Sequence, residues 1–337
     1  MAVAAPWAGE CHRGNGSRVL GSRASRHGRT QASSGLGEWR CECSWSGGRL
    51  RGVGTAGPGA PCGGVAVSVL VAVSAFAVWT PAGVFINTTP EAGAPDAPLA
   101  AWPDGPVLAQ VHPRARRPHA HAVSLVRLAH QLLSERERAA PPALRLIPRD
   151  EVELSLGTVA GSASADLEFV EGLRQRGVAF GSPSTFVYTL PTAAPAEVAL
   201  ALGLRGALTT VTAGAVSGLS AVARAAARIA SGSARACLCG GVELARVGER
   251  WAGPGTGHEA VALFLLEAVD ASSPWPRVEA WGLGFGEAAS TGTDTLLEVA
   301  RAVARAREQG GAQAVVGSSP EGAWARLQVA PSPSRGP

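Results

Sequence analysis

Residues 209–231, T-T-V-T-A-G-A-V-S-G-L-S-A-V-A-R-A-A-A-R-I-A-S, constrain this chain more than any other stretch. A β-rich run, Thr209-Thr210-Val211-Thr212, passes through Ala213 and Gly214 into an alanine-rich segment with helical period. Leu219, Val222, Ala223, Ala226 and Ile229 fall at steps of three and four, while Arg224 and Arg228 share another face. A strand that turns sharply into a helix aims the helix's unsatisfied N–H groups and positive dipole end at one point. Such an elbow suits a nucleophile or an anion. The residue standing at it is Ala215, which is neither.

Charge narrows the function classes. All 30 basic residues are Arg, and eight of them lie in residues 1–62 against Glu10, Glu38 and Glu42. The remainder carries 22 Arg against 23 acids, so the body is nearly neutral and offers no basic face for nucleic acid. The leader also holds Cys11, Cys41, Cys43 and Cys62, without sustained periodicity. Cys41-x-Cys43 with His12 or His27 does not have zinc spacing, and no metal is expected there. Residues 1–62 read as a disordered extension, or as translated upstream sequence if the natural start lies near Val65.

The most apolar run, residues 65–79, is shorter than the roughly 20 residues of a membrane helix and is not at the extreme N-terminus, where a signal peptide would sit. Rich in β-branched residues and closed by Thr80-Pro81-Ala82-Gly83, it predicts a central strand covered on both faces. Without an export signal or a span, a cytoplasmic setting is expected. Beyond it, 87–118 reads as irregular, with a basic cluster of His112, Arg114, Arg116, Arg117, His119 and His121. Residues 123–138 predict an amphipathic helix ended by Pro141-Pro142.

Further along, the pattern predicts strand 152–157, a small-residue turn, helix 166–174, an extended loop over 180–191, helix 194–202 and strand 234–243. In that last strand Cys237 and Cys239 alternate with Leu238 and read as small buried hydrophobes. Strand 258–267 is expected antiparallel to its neighbour; strand 277–282, helix 295–308 and strand 312–317 come next, then a frayed tail at 330–337. Gly282-x-Gly284-x-Gly286 lacks both a P-loop lysine and Rossmann spacing, so neither a nucleotide nor another cofactor is expected.

Residues 183–243 carry a family resemblance. P-S-T-F-V-Y-T-L-P, then A-E-V-A-L-A-L-G-L-R-G, T-V-T-A-G-A-V-S-G-L and C-L-C-G-G-V-E resemble, in order and spacing, the N-terminal half of a β-ketoacyl synthase of the thiolase superfamily. Val73 to Gly83 resembles that family's opening strand, and Glu259 to Glu267 its E-G-A-A-x-L-V-L-E strand. The resemblance implies an α/β, thiolase-like layered αβαβα fold with parallel-rich sheets. It implies an N-terminal domain over 65–270 that forms a complete repeat, and a truncated C-terminal repeat over 275–329. It also implies a substrate pocket near Phe186, Thr189, Pro191, Gly214, Ala215 and Ser217.

The departures shape the expected function. Laying the family's A-C-x-S motif on this sequence puts Ala215 at the nucleophile. Ser318-Ser319-Pro320-Glu321-Gly322 stands where the family has H-G-T, and His258 belongs to the wrong strand to substitute. Condensation needs a thiolate to accept the acyl chain and imidazoles to drive extender decarboxylation. The resemblance therefore implies a non-condensing homologue that pairs with an active ketosynthase subunit, as chain-length factors do, and meets acyl carrier protein. Arg205, Arg224, Arg228 and Arg235 are the candidate carrier contacts. Two alternatives stand: an acyltransferase using Ser217 or Cys239, or a non-functional truncated homologue.

Overall fold

The computed structural model describes residues 69–94, 98–102, 119–139, 147–159, 161–243, 260–285, 295–319 and 322–332. The leader with its cysteines, the basic residues at 112–117 and His258 lie outside them.

The expected central strand is β1 (Leu70–Thr80), buried along nearly its whole length. Its C-terminal end turns back into β2 (Gly83–Ile86). The remaining strands are β3 (Val152–Gly157), β4 (Leu208–Val211), β5 (Ala236–Glu243), β6 (Ala260–Val269), β7 (Arg277–Phe285), β8 (Gln313–Ser318) and β9 (Ala323–Ala330). They join in the order β4-β3-β5-β6-β1-β7-β9-β8, with β2 on β1. Among the described strands only β3–β4 and β3–β5 are parallel; β6 is antiparallel to both β5 and β1. The expectation of parallel-rich sheets is thus corrected. β1 is apolar on both faces because of its central place between helical layers, not because its neighbours run parallel to it.

The helices are α1 (Ala120–Ala139), α2 (Ala163–Arg176), α3 (Pro183–Val187), α4 (Ala193–Leu202), α5 (Ser217–Ala230) and α6 (Thr295–Glu308). They divide the core in two. Against α1 and α4 lie Ala75, Ala77, Leu154, Leu156, Leu238 and Leu263. On the other face, α5 and α6 cover Val73, Phe76, Cys237, Cys239, Phe264 and Leu266, and also pack on Leu327 and Val329 of β9. The β1–β7 link runs through only two residue pairs, Val71 with Val278 and Ala72 with Arg277. Past this narrow hinge, β7, β9 and β8 lie on the far side of α5. The described layers therefore run helix, the strands β4-β3-β5-β6-β1 with β2 on β1, helix, and the strands β7-β9-β8.

Alanine makes that sandwiching possible. Of the fourteen residues of α5, ten are buried, and Leu219, Val222 and Ile229 fill the stripe read from the sequence. Each such side chain contributes about 1.5–3 kcal/mol relative to exposure, and the alanines between let sheets approach on both sides. At the β1 irregularity between Val73 and Ala75, Arg307 of α6 donates to Val73 O (3.3 Å), Ser74 O (3.1 Å) and Asn87 Oδ1 (3.0 Å). Burial lowers its pKa to about 10.

Two elements differ from the sequence reading. The expected extended loop 180–191 contains α3, which opens with Ser182 accepting the Thr185 N–H and Pro183 in the first turn. β9 was not expected, although A-W-A-R-L-Q-V-A alternates buried and more exposed positions. Its Trp324 explains Gly282 and Gly284: a Cβ at Gly284 would sit 2.6 Å from the indole, and one at Gly282 3.1 Å away. The glycine pair makes room for an aromatic ring.

Candidate functional site

β4 leads into α5 through Ala213, Gly214, Ala215 and Val216, so the strand-to-helix elbow forms as read. Gly214 adopts the left-handed region (φ 57°), where a side chain is disfavoured. Ser217 then locks the turn. Its Oγ accepts the Ala213 N–H at 2.8 Å and donates to Gly214 O at 2.6 Å, while its own N–H donates to the same carbonyl at 3.1 Å. Ser217 is fully buried, whereas Ala215 is exposed at the tip.

Behind the elbow the backbones meet closely. A Cβ on Gly157, at the end of β3, would fall 2.2 Å from the Ser217 carbonyl, and one on Gly218 would fall 2.4 Å from Leu296 Cδ1. The same leucine methyl lies 2.9 Å from the position of a Cβ on Gly241. Gly157, Gly218, Gly241 and Leu296 therefore set the depth at which α5 begins. None of them was expected as a site residue; the signal available was glycine at two strand ends and in a helix's first turn.

The expected pocket residues separate into groups. Pro191 lines a cavity of about 20 Å³ with Leu156, Gly157, Thr158, Gly161, Ala194, Pro195, Thr210 and Val242. That volume holds one water molecule, not an acyl chain, and the Thr210 hydroxyl is buried without a hydrogen-bond partner among the described residues. Phe186 lies elsewhere, exposed on α3 with its ring 5.4 Å from Phe169. Thr189 donates to Phe186 O and accepts from Ser162 Oγ through its carbonyl. Gly214, Ala215 and Ser217 stay at the elbow and do not line this cavity.

Cys237 and Cys239 are both buried against α5, as their alternation with Leu238 predicts. The Cys239 thiol contacts Phe264 O at 3.6 Å, and burial pushes its pKa well up. Burial does the same for Cys237. A buried thiol held protonated is a packing group, not a nucleophile. Of the candidate carrier contacts, Arg228 is held in a two-point pair with Glu153 (2.5 and 2.6 Å) and Arg235 pairs with Glu151 at 2.6 Å. Arg228 sits at the C-terminal end of α5, eleven residues or about 16 Å along the helix from Ser217. Arg205 and Arg224 are exposed.

Comparison with known proteins decides the family. The description "Beta-ketoacyl synthase, N-terminal domain" matches residues 110–290, more than half of the chain. The chain belongs to the β-ketoacyl synthase family. Among curated proteins, this ketosynthase-family chain is 34% identical over 97 residues to the 3-oxoacyl-[acyl-carrier-protein] synthase 2 of Mycobacterium tuberculosis and to that of Mycobacterium bovis. The match spans 29% of this chain and 23% of theirs. Among solved structures, the ishigamide ketosynthase/chain length factor aligns with TM-score 0.61 at 15% identity, covering 78% of this chain and 100% of that one. A ketosynthase in complex with its chain length factor from Xenorhabdus doucetiae aligns with TM-score 0.54 at 14% identity, covering 78% and 99%. The fold is thus the thiolase-like α/β arrangement of ketosynthases.

Proposed function

We propose that this chain is the non-condensing member of a ketosynthase pair in fatty-acid or polyketide-type synthesis. An active ketosynthase subunit supplies the cysteine and acyl carrier protein delivers the acyl chain. The observation that carries this reading is Ala215: it occupies the exposed tip of an elbow whose turn, buried serine and helix are otherwise intact. A thiolate at that tip would be favoured by the helix N-terminus; a methyl group accepts no acyl chain. The sequence also contains no histidine after His258, so neither β8 nor β9 brings an imidazole to the elbow. In this reading residues 65–270 form the ketosynthase-like domain, 275–329 a partial second repeat, and the protein works in the cytoplasm.

A surface suited to pairing supports it. Val170, Val178, Phe180, Phe186, Val187 and Leu190 are all at least half exposed, with Val178 at 84% and Phe180 at 68%. Bare apolar side chains concentrated in one stretch mark an interaction face. Among the described strands β4 pairs on one edge only, with β3, leaving backbone groups open for a partner.

The elbow is tested by peptide-mass mapping after incubation with an acyl thioester. The peptide bearing Ala215 is expected to gain no acyl mass in the wild-type chain, and in Ala215→Cys to gain it without condensation, since neither β8 nor β9 carries a histidine. Condensing turnover by Ala215→Cys alone would refute the reading.

A further inference from the structure

Away from the elbow, a hydroxyl faces an imidazole. Ser164, in the first turn of α2, places Oγ 3.4 Å from Nε2 of His119, the residue that leads into α1. Glu168 lies one turn beyond Ser164 on the same face of α2 and acts electrostatically on the ring. Tyr188 fixes His119 from the other side. Its hydroxyl accepts the His119 backbone N–H and donates to Glu197 Oε1 at 2.9 Å, and its ring centroid lies 5.9 Å from the imidazole. The His119 carbonyl in turn accepts from the Val123 N–H at 3.0 Å. The backbone carrying the imidazole is thus anchored at both of its polar groups.

We propose that Ser164, His119 and Glu168 form a second site that hydrolyses esters and thioesters of short acyl groups. This site does not depend on the pairing function, and either can fail without the other. Ser164 Oγ adds to the acyl carbonyl carbon as its proton passes to His119 Nε2. Collapse breaks the C–S or C–O bond, and the imidazolium returns the proton to the departing thiolate or alkoxide. Water then attacks the Ser164 ester by the same relay, releasing the carboxylic acid and restoring the hydroxyl. One water splits one ester, with no redox partner.

Each residue type fits its step. Burial holds the His119 pKa below its ordinary value, with Glu168 pulling the other way, which favours the neutral imidazole that a base requires. The Glu168 carboxylate stabilises the imidazolium formed midway. The positive dipole end of α2, where Ser164 sits, favours the negative charge that develops in the tetrahedral intermediate. A 3.4 Å separation is long for a resting hydrogen bond, and such contacts commonly tighten when substrate binds.

The test treats the full-length chain with a fluorophosphonate probe, maps the label by peptide mass, and follows p-nitrophenyl acetate hydrolysis. Label on Ser164 is expected, lost in Ser164→Ala together with about 100-fold of the rate; His119→Gln should cost a similar factor. Glu168→Gln should move the acidic limb of the pH–rate profile to lower pH, because the carboxylate that raises the imidazole pKa is gone. An unlabelled wild-type chain, a label that survives Ser164→Ala, or a rate unchanged in His119→Gln would each overturn the proposal. If His119→Gln does not fold, the Ser164→Ala result decides alone, since that change only removes a hydroxyl.

Discussion

Single polar groups decide what happens at the two ends of the 157–217 region. At the elbow the Ser217 hydroxyl is engaged in the turn itself and is closed to substrate, so the acyltransferase reading loses Ser217 as its nucleophile. Near α2, the Tyr188 pKa rises to about 12, first through burial and then through its hydrogen bond to Glu197. The fold therefore prefers the neutral phenol. Its contribution is complete below about pH 10, where the unfolded tyrosine begins to ionise, and is lost as pH rises through about 12. Tyr188→Phe is expected to cost about 1 kcal/mol at pH 7 and to remove that part of the alkaline loss of stability, as urea unfolding at pH 7 and at about pH 10–11 would show; an unchanged alkaline limb would contradict the assignment. Ala215 was legible in the sequence because its neighbours form a continuous motif. The Ser164–His119 contact was not, because 45 residues separate the two and no local spacing brings them together.

Elements are positioned by glycines whose roles differ in hardness. A Cβ on Gly157 would meet Ser217 and Gly218 main chain, which cannot move without shifting α5, while one on Gly218 meets the end of the Leu296 side chain. Gly157→Ala is therefore expected to cost about 3 kcal/mol or more, and Gly218→Ala about 1 kcal/mol. Urea denaturation of both variants checks the order, and equal costs would argue against the close packing at the elbow. Continuous apolar runs made β1 and β6 readable, and helical period made α1, α5 and α6 so. Strand alternation placed Cys237 and Cys239 inward. α3 was missed because five residues give no period, and only the Ser182-Pro183 start marked it. β9 was missed because two of its four alternating inward positions, Ala323 and Ala325, are alanines that give little hydrophobic contrast.

At the scale of the whole molecule, the narrow β1–β7 link lets one hydrogen-bonded sheet wrap both sides of α5 and α6. The layering was legible only through the family resemblance; strand direction was not, because burial on both faces looks the same in parallel and antiparallel neighbours. Among the described residues, apolar side chains between Val170 and Leu190 are exposed and β4 pairs on one edge only, both of which would serve the proposed partner subunit. The central claim is that this chain modifies an active ketosynthase and does not condense by itself. The most direct measurement combines it with an intact ketosynthase and its acyl carrier protein, then tracks co-elution on size exclusion and product chain length by mass spectrometry. A stable complex is expected, with a product length that differs from that of the ketosynthase alone. A chain that elutes separately and leaves both rate and product length unchanged would contradict the claim.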